Sequence, residues 1–249
     1  MVKLRSWLFA VWMWGSVLVL GIFFLPALVR RDWSLAASKM WAHTVLWGLR
    51  AICGLGYEVR GRENLPRGAG LLAVKHQAMW ETLAMTALLR EPCFVLKKEL
   101  GRLPLFGWYC RANGFVFVDR AAGAKALRGM VDQARAAAAR GAQILIFPEG
   151  TRTAVGQQVP YQPGVAALAK ALDLPCTPVA HNAGVFWCHP GSLRRPGTIT
   201  VEVLAPIPAD TPRPALIKGL QLAIEPATRT LEAQAVARRG PACEGDSAA

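Results

Sequence analysis

Leu71-Leu72-Ala73-Val74-Lys75-His76-Gln77-Ala78-Met79-Trp80-Glu81 runs from a continuously apolar segment into a polar corner and then into a helical pattern. A short apolar run bounded by turn residues is how a strand covered on both faces reads. The same pattern recurs along the chain. Candidate strands lie at 57–60, 71–75, 93–96, 115–118, 143–147, 177–180 and 198–204, with helical stretches at 80–89, 122–140, 165–172 and 214–224. Strands alternating with helices predict an α/β fold, a largely parallel or mixed sheet flanked by helices. In 122–140, Leu127, Met130, Val131, Ala134 and Ala138 form an apolar stripe, Lys125, Arg128, Asp132 and Arg135 lie opposite, and Gly141 is a natural stop. Pro226 is expected to interrupt the last helix.

The chain has 249 residues, enough for one large domain or one domain with an appendage. It is 53% hydrophobic and 18% charged, which excludes disorder, a collagen-like repeat and a small disulfide scaffold. The net charge is +13 while mean hydropathy is +0.27. A chain both basic and apolar points to an anionic membrane surface rather than to nucleic acid. The six cysteines match no zinc spacing and read as reduced thiols, with Cys53, Cys93 and Cys176 in apolar runs.

Residues 6–29 carry no charge. As a helix they would reach roughly 36 Å, enough to cross the hydrocarbon core. Lys3 and Arg5 precede this run and Arg30 and Arg31 follow it, so the charges fix no orientation, and no good signal-peptidase site is present. Six of the nine Trp residues fall in the first 47 positions. Residues 34–53 read as an amphipathic helix, with Trp41, Val45 and Leu49 on one face and Lys39, His43 and Arg50 on another. Either the first helix spans while the second lies on the surface, or both dip into one leaflet. The expected organisation is membrane-associated helices at 1–54 (hydrophobic 6–29, amphipathic 34–53), a catalytic domain at 55–237 and a tail at 238–249.

Three strand ends carry chemistry. His76 and Glu81 flank a turn, so the carboxylate can reach back to the imidazole, hold one ring nitrogen as N–H and leave the other free to accept a proton. Gln143-Ile144-Leu145-Ile146-Phe147-Pro148-Glu149-Gly150-Thr151-Arg152 is a second buried strand emptying into a loop; Gly150 permits a tight turn and Arg152 offers a fork suited to phosphate. Phe115-Val116-Phe117-Val118-Asp119-Arg120 is a third, with Lys97 upstream. His76, Lys97, Arg120 and Arg152 are thus brought toward one sheet edge. A base ringed by cations suits a phosphorylated alcohol.

These blocks together resemble the glycerolipid acyltransferases, of the bacterial lysophosphatidic acid acyltransferase type. Four blocks carry the resemblance, in order, over roughly residues 56–206. The first is His76 to Glu81. The second is Lys97-Lys98-Glu99-Leu100 with Pro104, Gly107 and Asp119-Arg120. The third is Phe147 to Arg152, and the fourth is Leu174-Pro175-Cys176-Thr177-Pro178-Val179. The departure is Glu81, where the family's first block has Asp; the extra carbon–carbon bond adds about 1.5 Å of reach.

The resemblance implies transfer of an acyl group from acyl-CoA or acyl carrier protein to the sn-2 hydroxyl of lysophosphatidic acid, giving phosphatidic acid. It implies His76 as base, Glu81 as its partner, and Lys97, Arg120, Glu149, Gly150, Thr151 and Arg152 at the acceptor. It calls for no metal and no cofactor beyond the acyl donor. It implies a bacterial inner-membrane protein, its catalytic domain on the cytoplasmic side, with membrane lipid as partner and no nucleic acid. Backbone N–H groups near the helix start are expected to meet the oxyanion. No Ser or Cys adjoins His76, so direct attack is expected rather than an acyl-enzyme. Another lysolipid or an acyl-amino-acid lipid as acceptor, a hydrolase, and a lipid-binding module are the alternatives. His181 and His189 read as structural or exposed.

Overall fold

The computed structural model describes residues 1–119, 123–188 and 191–239. Its strands are β1 (Leu55–Arg60), β2 (Gly70–Val74), β3 (Pro92–Lys97), β4 (Val116–Val118), β5 (Gln143–Ile146), β6 (Cys176–His181) and β7 (Gly197–Val203). Its helices are α1 (Val2–Phe23), α2 (Arg31–Cys53), α3 (Trp80–Leu88), α4 (Phe106–Ala112), α5 (Gly123–Ala139), α6 (Gly164–Leu172), α7 (Ala183–Phe186) and α8 (Arg213–Arg239). The strands form one mixed sheet in the order β1-β7-β6-β2-β5-β3-β4. From β6 to β4 all pairings are parallel, whereas β7 runs antiparallel to β6 and carries β1 parallel to itself. Every expected strand is present.

Alternating side chains sort onto two faces of the sheet. Leu72, Val74 and Leu145 enter one apolar cluster with residues of α1, α2 and α3. Leu71, Ala73, Ile144 and Ile146 enter a second with residues of α5, α6 and α8. The result is three layers, helices on both faces of the sheet. The parallel strands β2, β5, β3, β4 and β6 therefore present their C-terminal ends along one edge, where open α/β sheets hold their ligands.

The N-terminal helices share this core. Phe9 and Met13 of α1 pack with Val45, Leu46 and Leu49 of α2 in the first cluster. The helices approach closely at Gly48, where a Cβ would overlap the Trp12 indole, and the Trp12 N–H donates to the Thr44 carbonyl at 3.1 Å. Arg194 lies 4.6 Å over the Trp187 ring and 5.5 Å over Phe9, and its N–H donates to Ser6 Oγ at 2.8 Å, tying α1 to the loop before β7. The apolar stripe of α2 through Val45 and Leu49 faces the protein rather than lipid. Periodicity reports an apolar face and is silent on what covers it. The outer face is different in kind. Trp7, Val11, Trp14, Leu18 and Ile22 of α1 are exposed, with Trp33, Met40 and Trp47 of α2 and Leu103, Phe106 and Trp108 at and beside α4. By length and composition α1 is able to cross a membrane.

Two expectations change. The last helix runs unbroken through Pro226, whose missing N–H frees a carbonyl at the exposed Leu222. Cys53, Cys93, Cys110 and Cys176 are free and buried, but Cys188 is disulfide-bonded, so the reading of six reduced thiols fails there. Arg120, His189 and the tail from 240 onward lie outside the described residues.

Candidate active site

β2 ends at Val74, and the next residues make the corner that precedes α3. Glu81, in the first turn of α3, reaches back across that corner. Its Oε1 accepts the Gln77 N–H at 2.9 Å and the Ala78 N–H at 2.9 Å, and lies 2.7 Å from His76 Nδ1. One buried carboxylate thus closes the corner before α3 and orients the imidazole. The Glu side chain spans the corner and meets His76 Nδ1 at hydrogen-bond distance. With Glu81 ionised, Nδ1 carries the proton and Nε2 is left as the basic nitrogen. Burial pushes the Glu81 carboxyl up, but the His76 hydrogen bond, with the electrostatic pull of the His181 and His76 rings, outweighs it and holds the pKa below its ordinary value.

The imidazole is stacked on Phe147, ring centroids 4.0 Å apart and planes 14° from parallel. Its side chain is 18% exposed whereas Glu81 is wholly enclosed, so the dyad opens to solvent only through the imidazole. Among the described residues Nε2 has no hydrogen-bond partner. The Gln77 and Ala78 N–H groups are occupied by Glu81, which removes those two from the expected oxyanion site.

The loop after β5 pins the His76 backbone from both sides. The His76 N–H donates to Glu149 Oε2 at 2.8 Å, and the His76 carbonyl accepts the Thr153 N–H at 2.8 Å. Gly150 turns the loop at φ 72, a left-handed conformation that glycine adopts without strain. Glu149 itself is buried, its Oε1 held by Lys75 Nζ at 2.7 Å. Glu149, expected at the acceptor, is therefore enclosed, with one oxygen on Lys75 and the other on the His76 N–H. Burial raises the Glu149 carboxyl pKa against the lowering pull of Lys75. Thr151 and Arg152 are exposed on the same loop, and Lys97 is exposed at the end of β3. Among the described residues neither Arg152 nor Lys97 makes an ion pair, so both cations stand free at the edge that holds His76. Lys98 is instead paired with Asp119 at 3.0 Å.

Sequence reasoning missed Lys75. It sits at the end of an apolar run, is 1% exposed and lies 2.9 Å from Glu225 as well as 2.7 Å from Glu149. Its signal was a lysine inside a run otherwise too apolar to hold one, which demands a buried carboxylate. His181 is structural as expected. Nδ1 accepts the Ala183 N–H at 3.2 Å, so Nε2–H donates to the Lys75 carbonyl at 2.7 Å. Burial holds its pKa below the ordinary value, keeping it neutral. The buried thiols Cys110 and Cys176 are both pushed up to about 12 by burial, which makes them poor nucleophiles.

The dyad, the pinning loop and the free cations stand on elements shared with known proteins. The family model "Acyltransferase" matches residues 56–182. A 1-acyl-sn-glycerol-3-phosphate acyltransferase from Pseudomonas aeruginosa is 36% identical over 85% of this chain and 81% of its own length. The 1-acyl-sn-glycerol-3-phosphate acyltransferase alpha of Homo sapiens is 27% identical over 79% of this chain and 70% of its own. The fold matches the crystal structure of the 1-acyl-sn-glycerophosphate (LPA) acyltransferase PlsC from Thermotoga maritima, TM-score 0.73, 20% identity, covering 94% of this chain and 98% of that one. The family model spans the whole stretch from β1 through the His76 corner and the Glu149 loop to the end of β6, and on that ground the chain belongs to the acyltransferase family.

Proposed function

We propose that the chain acylates the sn-2 hydroxyl of lysophosphatidic acid to give phosphatidic acid; its relatives are named 1-acyl-sn-glycerol-3-phosphate acyltransferases. The observation that carries the mechanism is the 2.7 Å contact between His76 Nδ1 and Glu81, on the sheet edge that also holds Arg152 and Lys97, neither of them ion-paired among the described residues. Nε2 takes the proton of the acceptor hydroxyl as its oxygen forms the new bond to the thioester carbonyl carbon. The imidazolium so formed is stabilised by the Glu81 carboxylate. The tetrahedral intermediate collapses with cleavage of the C–S bond, and the departing thiolate takes the proton back. Arg152 and Lys97 hold the acceptor phosphate, joined by Arg120 of the same sequence block. Acyl-CoA or acyl carrier protein supplies the thioester.

The exposed apolar faces of α1, α2 and α4 seat the protein on a membrane, with lysolipid entering from it. Because α1 packs along α2 in the same core as the sheet, both helices dip into one leaflet rather than one of them crossing. In a bacterium the site faces the cytoplasm, where the donor is made. The test is acyl transfer by detergent-purified protein given lysophosphatidic acid with labelled acyl-CoA or acyl carrier protein. Phosphatidic acid is expected from the unmutated chain and not from His76→Ala. Absence of product with both donors overturns the assigned acceptor, and product from His76→Ala overturns the mechanism.

A further inference from the structure

Glu225 and Glu232 of α8 are seven residues apart, two helical turns and about 20° out of line, so they share one face. Both are buried. Glu225 holds Lys75 Nζ at 2.9 and 3.1 Å and accepts the Tyr161 hydroxyl at 2.8 Å. Glu232 accepts the Gln77 side-chain N–H at 2.6 Å and the Gly156 N–H at 3.3 Å. Lys75 and Gln77 are the two residues on either side of His76. Lys75 in turn holds Glu149, and Glu149 holds the His76 N–H. Gln77 is fixed on its other end by the Gly184 N–H at 3.1 Å. The base is therefore gripped through both neighbours by one helix, and that helix lies outside the 56–182 stretch that the family model matches.

We infer that Glu225 and Glu232 are positioning residues for His76, and that α8 is part of the catalytic apparatus. The charge count makes Glu225 testable. Lys75 is one buried cation between two carboxylates, Glu149 and Glu225. Glu225→Gln leaves the Lys75–Glu149 pair balanced, so no unpaired charge is created and the fold persists. Lys75→Met would strand two carboxylates and is the wrong variant. With Gln at 225 the ammonium is drawn wholly to Glu149, and that carboxylate's hold on the His76 N–H changes.

The inference rests on the acyl-transfer reading of the site, and the experiment separates the two. Glu225→Gln, Glu232→Gln, Gln77→Ala and the Glu232→Gln/Gln77→Ala double variant are assayed at a temperature where all are folded. Each single variant is expected to lower kcat about fivefold or more with the acceptor KM within about twofold, and the double variant to fall no further than the worse single one. In parallel, the backbone amide signals of histidine-labelled protein are recorded by NMR. The His76 signal is expected to move in Glu225→Gln while that of His43, exposed on α2, stays. An unmoved His76 signal, movement of all the histidine signals together, or kcat within about twofold of the unmutated chain overturns the inference. An unmutated chain that forms no phosphatidic acid overturns the acceptor assignment alone, and the His76 signal then decides the positioning claim by itself.

Discussion

Replacing Glu81 by Gln removes one charge from the dyad and almost nothing else. Gln has the same reach and one carbonyl oxygen, so it still accepts from the Gln77 and Ala78 N–H groups, each 2.9 Å from Oε1. What it cannot do is oppose the imidazolium that forms when His76 takes the acceptor proton. Two unit charges about 4 Å apart at an effective dielectric of about 20 interact by about 4 kcal/mol. Allowing for the partly exposed imidazole, about 3 kcal/mol of that is realised in the transition state, so kcat should fall roughly 10²- to 10³-fold. KM for the acceptor should change little, because Glu81 is enclosed and touches no substrate. Asp at this position keeps the charge but is shorter by about 1.5 Å, and a fall of about tenfold is expected as the corner stretches to meet it. The assay is steady-state acyl transfer in detergent micelles, with circular dichroism to confirm equal folding. A folded Glu81→Gln enzyme within about fivefold of the unmutated kcat would show that the 2.7 Å contact does no electrostatic work in the reaction.

Arg152→Ala should raise the KM for lysophosphatidic acid roughly ten- to hundredfold, the worth of one charge-assisted hydrogen bond, with kcat nearly unchanged; a lysolipid series varying the head group reads this out. His181 makes stability depend on pH. The unfolded chain takes up its proton near 6.5 and the folded chain only at lower pH, so below 6.5 the unfolded state binds more protons and stability falls as pH falls, by at most about 1.4 kcal/mol per pH unit. His181→Gln should flatten that slope in denaturation curves recorded between pH 5 and 7.5. Trp14→Glu with Leu18→Glu should weaken flotation with anionic vesicles about a hundredfold or more, since each apolar side chain contributes about 1.5–3 kcal/mol to lipid burial. Thermal stability in detergent should not change, because both side chains already face outward.

The sheet was legible because parallel strands covered on both faces are written as plain apolar runs; Leu71–Val74 and Ile144–Ile146 have no polar residue to blur them. The dyad was legible because its two members lie five positions apart on one corner. The remainder of the site was not, for a physical reason. Lys75, Glu225 and Glu232 act through partners far away in sequence, and a Glu on an amphipathic helix looks the same whether it faces water or a buried lysine. Glu149 was assigned to the acceptor because a carboxylate in a loop reads as accessible, whereas the loop folds it inward onto Lys75. Pro226 was read as a break because propensity describes an isolated helix. In the protein the proline stands on an exposed stretch of α8, where water can satisfy the freed carbonyl, while Leu216, Leu220, Ile224 and Leu231 anchor the helix on either side.

Phe9 and Met13 belong to the same apolar cluster as Leu72 and Val74, the strand that delivers the base. A soluble version of this enzyme cannot be made by trimming its first thirty residues, because the cut would empty part of the enzyme's own interior. Solubility must instead be engineered on the outer surface of α1, residue by residue. The same shared packing makes α1 a fixed mount rather than a tether. With the exposed faces of α1 and α2 seated on a membrane, as proposed, this packing sets the distance and tilt between bilayer and His76 once, during folding.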